Sequence, residues 1–170
     1  MTEPTEFYDD YGRATTVTDP ALIQKFDTVH VLCHSQGHWL LSVMGMLPDV
    51  PEFPGGRANP EESFGANLHR EFLEETGLTL PPDIERHVRR RHHQVAPFHA
   101  RMGGKFFLLN QTYVLIDLPE NLREHGPDHR LEWSGSEENR LVWMPDAQMS
   151  GITLRHEHGL AWKALRAVEE

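Results

Sequence analysis

The sequence predicts an α/β fold, a sandwich built on one mixed β-sheet, and three observations carry that expectation. Strand-like and helix-like segments alternate from one end of the chain to the other, the order expected of a mixed-sheet sandwich. One helical segment places Phe64, Leu68 and Phe72 at i, i+4 and i+8, a stripe that must face a core. The long apolar run Lys105–Leu118 (KFFLLNQTYVLIDL) reads as a strand in the middle of the sheet. A chain of 170 residues fits a single domain that buries roughly 70% of its unfolded surface. With no repeat or linker in view, the expected layout is an N-terminal arm at 1–18 and one domain at 19–170.

The arm (MTEPTEFYDDYGRATTVT) is polar and acidic, with Phe7, Tyr8 and Tyr11 as docking anchors for a loosely held segment or an edge strand. Asp19-Pro20 is in N-cap then Pro order and opens a short helical segment to about Phe26. Thr28–His34 is rich in β-formers, Ser35-Gln36-Gly37 is a turn, and His38–Met44 is a second apolar run, which together give a hairpin. Pro48, Pro51 and Pro54 force an extended path, and Phe53 starts a short strand that delivers Gly55 and Gly56. After the central helix, Pro81-Pro82 breaks the chain and Ile84–Val95 is a strand. A mobile loop is expected at Pro97–Gly104, ahead of the Lys105–Leu118 strand. A long polar connection at Pro119–Glu138 has the length of a loop that carries function. Asn139–Met144 is the last strand, Pro145-Asp146-Ala147 a turn, and Arg155 to Glu169 an amphipathic helix burying Leu160, Ala164, Leu165 and Val168.

Charge and cysteine content narrow the function. With 16 basic and 26 acidic residues the net charge is −10, which excludes a general nucleic-acid coat and requires local positive charge or metal for any polyanionic ligand. The lone Cys33 excludes an intramolecular disulfide framework and suits a reducing compartment; its apolar strand context favours packing over nucleophilic chemistry. No apolar run approaches the length of a membrane span and the acidic N-terminus does not match a signal peptide, so the sequence is read as a soluble, cytoplasmic protein with no membrane partner.

The chemistry is concentrated in Gly55–Leu78, GGRANPEESFGANLHREFLEETGL. Two glycines permit close backbone approach. Asn59 and Pro60 are read as N-cap and N1, with Glu62 completing a capping box, and Gly77 as the left-handed C′ residue that ends the helix near Thr76. On the helical wheel Glu75 falls between Phe64 and Leu68, and Glu71 and Glu74 lie along the edge of that stripe. Carboxylates crowded on an apolar face are costly to desolvate unless paired or bound to a cation, and Mg2+ or Mn2+ favours such hard oxygen ligands. The competing reading is a solvated, charge-laced helix face. The agreement of glycine turn, cap, carboxylate placement and C-cap favours the cation site.

Gly56, Glu62, Arg70, Glu71, Phe72, Glu74, Glu75, Gly77 and Leu78 match, without a gap, the signature of the Nudix hydrolases, and the chain resembles that family. The resemblance implies an α/β/α sandwich whose loop–helix–loop box binds divalent metal and hydrolyses a nucleoside diphosphate linked to another group. It also implies Glu74 and Glu75 as metal ligands with the Gly55 carbonyl, Glu71 as general base or additional ligand, and Arg70 as their orienting partner. A further ligand from the loop before a late strand falls to Glu138 or Glu137, with Glu132 behind them; the competing reading of each is a solvated loop charge. The family often has a basic residue on the second strand, where this chain has Ser42-Val43-Met44. Substrate phosphates would instead meet Arg89 and Arg91, in the run Arg89-Arg90-Arg91-His92-His93, and Lys105; the competing reading of that run is a charged, aggregation-resistant edge strand. His92, His93 and His99 are read as satisfied or exposed rather than as a metal site. The expected partner is a small-molecule nucleotide, with nucleoside triphosphates ahead of nucleotide sugars and dinucleotides. Dimerisation is common in the family. A Nudix-fold module that binds nucleotide or RNA without hydrolysis would typically have lost box carboxylates, and this chain keeps them all.

Overall fold

The computed structural model describes residues 5–101, 103–117 and 139–167. Among these the strands β1 (Glu6–Tyr8), β2 (Ala14–Thr16), β3 (Ile23–Ser35), β4 (His38–Met44), β5 (Gly55–Arg57), β6 (Val88–Ala100), β7 (Lys105–Asp117) and β8 (Asn139–Pro145) form one mixed sheet. Its order is β2-β1-β6-β7-β3-β4-β8, with β5 paired to β3. The helices are α1 (Phe64–Thr76), a single turn α2 (Asp146–Met149) and α3 (His156–Arg166). No described helix is long and apolar enough to cross a membrane.

Strand alternation puts a core on each face of the sheet. Val29, Val31 and Cys33 of β3 with Val114 and Ile116 of β7 point to one side, where Leu68 and Phe72 of α1 cover them. Leu32, Tyr113 and Leu115 point to the other, under Ala161, Trp162 and Leu165 of α3. Cys33 is fully buried in the first core. Burial, and secondarily the charge of Asp117, pushes its thiol up to about 12, so it packs rather than reacts.

The central feature is a split in the sheet. β3 and β4 turn at Gln36-Gly37, where both residues have positive φ (49° and 73°) as a type I′ hairpin requires. They pair only at His34↔Trp39 and Ser35↔His38 before diverging. The segment Glu52–Arg57 fills the gap. Glu52 exchanges two backbone hydrogen bonds with Ser42 of β4 (2.8 and 2.9 Å), and Pro54 O accepts from Val31 N (2.8 Å). Gly55, Gly56 and Arg57 then pair with His30, Val29 and Thr28.

Several boundaries differ from the sequence expectation, each for a local reason. The Asp19 cap accepts from Ala21 N at 3.0 Å, but its helical turn stops at Leu22. β3 starts at Ile23 because β7 offers it a parallel ladder from Phe106 onward. Phe53 is not in a strand; it is fully buried beneath α3, and the strand begins at Gly55. Ile84–His87 is a 3₁₀ turn, and β6 runs on to Ala100. The expected loop at Pro97–Gly104 is therefore mostly strand, because β7 pairs with β6 through Ala100↔Lys105. In α3 the buried residues are Glu157, His158, Ala161, Trp162 and Leu165, while Leu160 is exposed. Trp162, on the buried face of the helix, meets Trp39 edge-on at 4.7 Å. Within the arm, Phe7 is fully buried edge-to-face on Phe106, and Tyr8 pairs with Phe98 of β6.

Candidate active site

The box begins where the split sheet delivers two glycines. A side chain on Gly55 would strike Val29 O and the His30 ring, and one on Gly56 would strike the Glu71 carboxylate. The missing Cβ of Gly56 is thus the space in which Glu71 sits. Residues 59–62 form a β-turn with Pro at its second position: Glu62 N donates to Asn59 O (3.1 Å) and Glu61 N to Asn59 Oδ1 (3.0 Å).

The helix starts four residues later than the expected Pro60. Its N-cap is Ser63, whose Oγ accepts from Ala66 N at 3.2 Å, so the Asn59 cap and the Glu62 capping box are replaced by a turn and a separate cap. The C-terminal end agrees with expectation: Gly77 has φ 71° and donates to Leu73 O at 2.8 Å. Asn67, buried on the first turns of α1, ties helix to loop. Its Oδ1 accepts from Asn59 N (2.7 Å) and its Nδ2 donates to Asn59 O (3.1 Å) and Ser63 O (3.2 Å). The only sequence signal for this pin is a polar residue beside the apolar stripe.

Arg70 is the hub of the charges. Its Nε donates to Glu62 at 2.8 Å, Nη1 to Glu71, and Nη2 to Arg57 O (3.2 Å) and Asn67 Oδ1 (3.1 Å), with Glu74 at 3.5 Å. Glu62 therefore pairs with Arg70. Glu71 is buried, Glu75 half-buried and Glu74 exposed. Burial raises the Glu71 carboxyl above its ordinary value, the hydrogen bond from Arg70 opposes this, and Glu74 and Glu62 add to the rise. Burial pushes Glu75 up to about 7, with the neighbouring charges of Glu52, Glu71 and Glu74 adding to the effect. Among the described residues no basic side chain pairs with Glu75, and no three acid or histidine side chains converge on one point.

These donors fit a hard divalent cation. All are oxygens, their mutual repulsion is relieved only in part by Arg70, and the guanidinium already stands where positive charge is favoured. A shallow cavity of about 600 Å³ opens beside them, lined by Arg57, Asn59, Pro60, Glu62, Arg70 and Glu71.

The structure brings Arg70 against Glu71 and Glu74 and sets Gly55 next to the Gly56 that abuts Glu71, while Glu75 is within electrostatic range of Glu71 and Glu74 but does not converge on one point with them. The basic candidates are spread out. Arg91 stacks over Phe64 at the start of α1 (4.5 Å). Arg89 pairs with Asp117 (3.0 Å) at the hairpin end of the sheet, where it lines a separate cavity of about 310 Å³ with His34, Trp39 and Asp146. Lys105 is exposed at the opposite end, where β7 begins. His92 pairs with Gln94 (3.0 Å), His93 with Thr112 (3.4 Å), and His99 stacks on Phe106. Glu132, Glu137 and Glu138 lie outside the described residues.

Fold and site together define a class of α/β proteins in which a loop–helix–loop unit presents clustered carboxylates at a split mixed sheet. The NUDIX domain profile matches residues 23–163, and the chain belongs to the Nudix family. Solved structures with the same fold include the NUDIX domain of Shewanella oneidensis NrtR complexed with ADP ribose (15% identity, TM-score 0.55, covering 89% of this chain and 94% of that one). Others are the Nudix hydrolase RenU from M. smegmatis (16%, 0.55, 96% and 94%) and the C. elegans Ap4A hydrolase (17%, 0.52, 86% and 100%). A search of curated proteins finds no match.

Proposed function

We propose that this chain is a divalent-cation-dependent hydrolase of a phosphoanhydride in a nucleoside diphosphate linked to another group, with nucleoside triphosphates as the favoured substrates. The observation that carries this reading is the complete box, with Glu71 and Glu74 beside the Arg70 guanidinium and Glu75, among the described residues, without a basic partner. Glu74, Glu75 and the Gly55 carbonyl would hold Mg2+, for which Mn2+ would substitute, and Glu137 or Glu138 would complete the set. A cation held there would supply charge neutralisation at the diphosphate and acidification of the attacking water.

The remaining work falls to the chain. Glu71 is the general base: burial raises its affinity for a proton, and the bond from Arg70 Nη1 fixes which oxygen is free to take one. Arg70 holds that orientation while anchored to the Arg57 carbonyl and Asn67. Gly56 keeps the backbone clear of the Glu71 carboxylate. Arg91, standing at the start of the box helix, is the basic residue best placed to meet substrate phosphate, and Arg89 and Lys105 would act only on a substrate that reaches the sheet ends.

The test is a substrate panel of nucleoside triphosphates, nucleotide sugars, ADP-ribose and dinucleoside polyphosphates, assayed with Mg2+ and with chelator. Mg2+-dependent release of phosphate or pyrophosphate is expected, and Glu71→Gln should lower kcat on the order of 10²–10⁴-fold with Tm retained. Turnover in chelator, or E71Q and E75Q within a few-fold of the parent, refutes the reading.

A further inference from the structure

Next to the box cavity lies a second one, of about 450 Å³, that the roles given above do not use. The two adjoin at Arg57, Ala58 and Pro60, which line both. The floor of the second cavity is a part of the sheet that α1 does not reach. The ladders align Asp27 of β3, Asn110 of β7 and Val95 of β6 in one row, and alternation puts that row on the same face as Val29 and Val31. α1 covers Val29 and Val31, but the chain ahead of it is held as the 59–62 turn, and Asp27, Asn110 and Val95 all stay exposed. Val95, at 58%, is the most exposed of the large apolar side chains among the described residues. With the half-buried Leu108 of the next row it makes an apolar surface that the chain leaves uncovered, suited to the flat face of a ring.

The polar side of this cavity offers acceptors. Asn110 Nδ2 donates to Asp27 Oδ1 at 2.9 Å. A carboxylate only accepts, so this bond fixes which way the amide is turned. Asn110 Oδ1 and Asp27 Oδ2 are left as neighbouring acceptors with no hydrogen-bond partner among the described residues. The backbone beneath them is tied to the box, since Asp27 O accepts from Ala58 N at 2.8 Å. Where the cavities meet, the Arg57 guanidinium lies over the Phe26 ring at 4.6 Å and has no carboxylate partner among the described residues. A ligand that spans both cavities passes this positive charge.

We propose that the second cavity takes the base of the substrate, and that Asp27 and Asn110 select guanine. The inference rests on the hydrolase reading of the box and narrows its substrate class. Neighbouring acceptors call for neighbouring N–H donors, and guanine presents N1–H and its N2 amino group side by side. Adenine and cytosine set a ring acceptor beside their amino group, and uracil sets a carbonyl on each side of its N–H. Each of those would bring acceptor against acceptor, with the partners left unpaired.

Steady-state kinetics of the full chain with Mg2+ test this on GTP, ITP, ATP, CTP and UTP, and on GDP-, ADP- and UDP-glucose. ITP keeps N1–H and lacks the N2 amino group, so it isolates the second donor. kcat/KM for the guanine substrate is expected to exceed that for its ITP or adenine counterpart roughly ten- to hundred-fold, the span for a two-bond base contact. Asp27→Asn should raise KM for the guanine substrate about ten-fold, as loss of a bond to a charged acceptor does, with kcat nearly unchanged and the base preference largely gone. Asn110→Ala should remove part of that preference. A purely structural Asp27 would instead lower Tm and cut turnover of every substrate by the same factor, with the preference intact. Equal kcat/KM across the panel, preference for another base, or a guanine preference that D27N and N110A both retain overturns the proposal and leaves the hydrolase reading standing. No turnover of any of these substrates overturns it too, and the hydrolase reading falls with it if dinucleoside polyphosphates are also untouched. If D27N does not fold, N110A and the GTP-to-ITP ratio of the parent decide the matter.

Discussion

Among single residues, Gly56 makes the sharpest demand on the site. No positive φ is involved; the constraint is the Glu71 carboxylate occupying the volume a Cβ would need. Gly56→Ala should therefore displace Glu71 from Arg70, with a destabilisation of about 1–3 kcal/mol from overpacking and a larger fractional loss of kcat than of stability. Urea unfolding and steady-state kinetics on the same preparation check this; a variant with parent kcat would show that Glu71 does not need its position. The glycine and the box acids could be read from spacing alone. Asn67 could not, because its role arises from a contact across the turn, with Asn59, and the ion pairs of Arg155 with Glu52 and Asp10 join segments far apart in the chain. No local pattern encodes such meetings.

The elements show where local rules hold and where tertiary contacts override them. Gly77 ended α1 as its sequence context dictates. The start of the helix moved because two adjacent segments both carry cap chemistry: Asn59-Pro60 suits a helix start or a β-turn, and Ser63 suits a cap equally well. Asn67 settles the competition by bonding to the Asn59 backbone, which holds 59–62 as a turn. Ser63→Ala should cost about 1 kcal/mol and Asn59→Ala only a few tenths, measured by urea unfolding. The reverse order would restore Asn59 as the cap. The same holds for α3: its expected stripe included Leu160, but the face packed on the sheet is Ala161, Trp162 and Leu165, which leaves Leu160 exposed and Glu157 and His158 buried. Strands extend past their local sequence signals wherever a long neighbour stabilises extra residues, as β7 does for both β3 and β6.

At the scale of the whole molecule, the buried charges couple stability to pH. Burial pushes Glu157 up to about 7 against the attraction of Arg155. The folded state therefore keeps a proton that the unfolded chain releases near its ordinary value of 4.5. The associated stability is fully present below about 4.5 and is lost as pH rises through 7. His30, lowered to about 3 chiefly by burial, acts in the opposite sense, its contribution being lost as pH falls below 6.5; that effect is common to parent and variant. Glu157→Gln should thus gain in Tm relative to the parent between pH 5 and pH 8, and parallel Tm curves would show that Glu157 is not the group responsible. The long parallel ladder between β3 and β7 has its own consequence, which concerns synthesis. Residue 23 pairs with residue 106 and residue 34 with residue 117, so a nascent chain on the ribosome exposes the amphipathic box helix well before the strand that completes its sheet has emerged. Contacts so distant in sequence close slowly. The box segment is thus translated well before the strand that completes its surroundings, and over that interval the apolar face of its helix has no sheet to cover it.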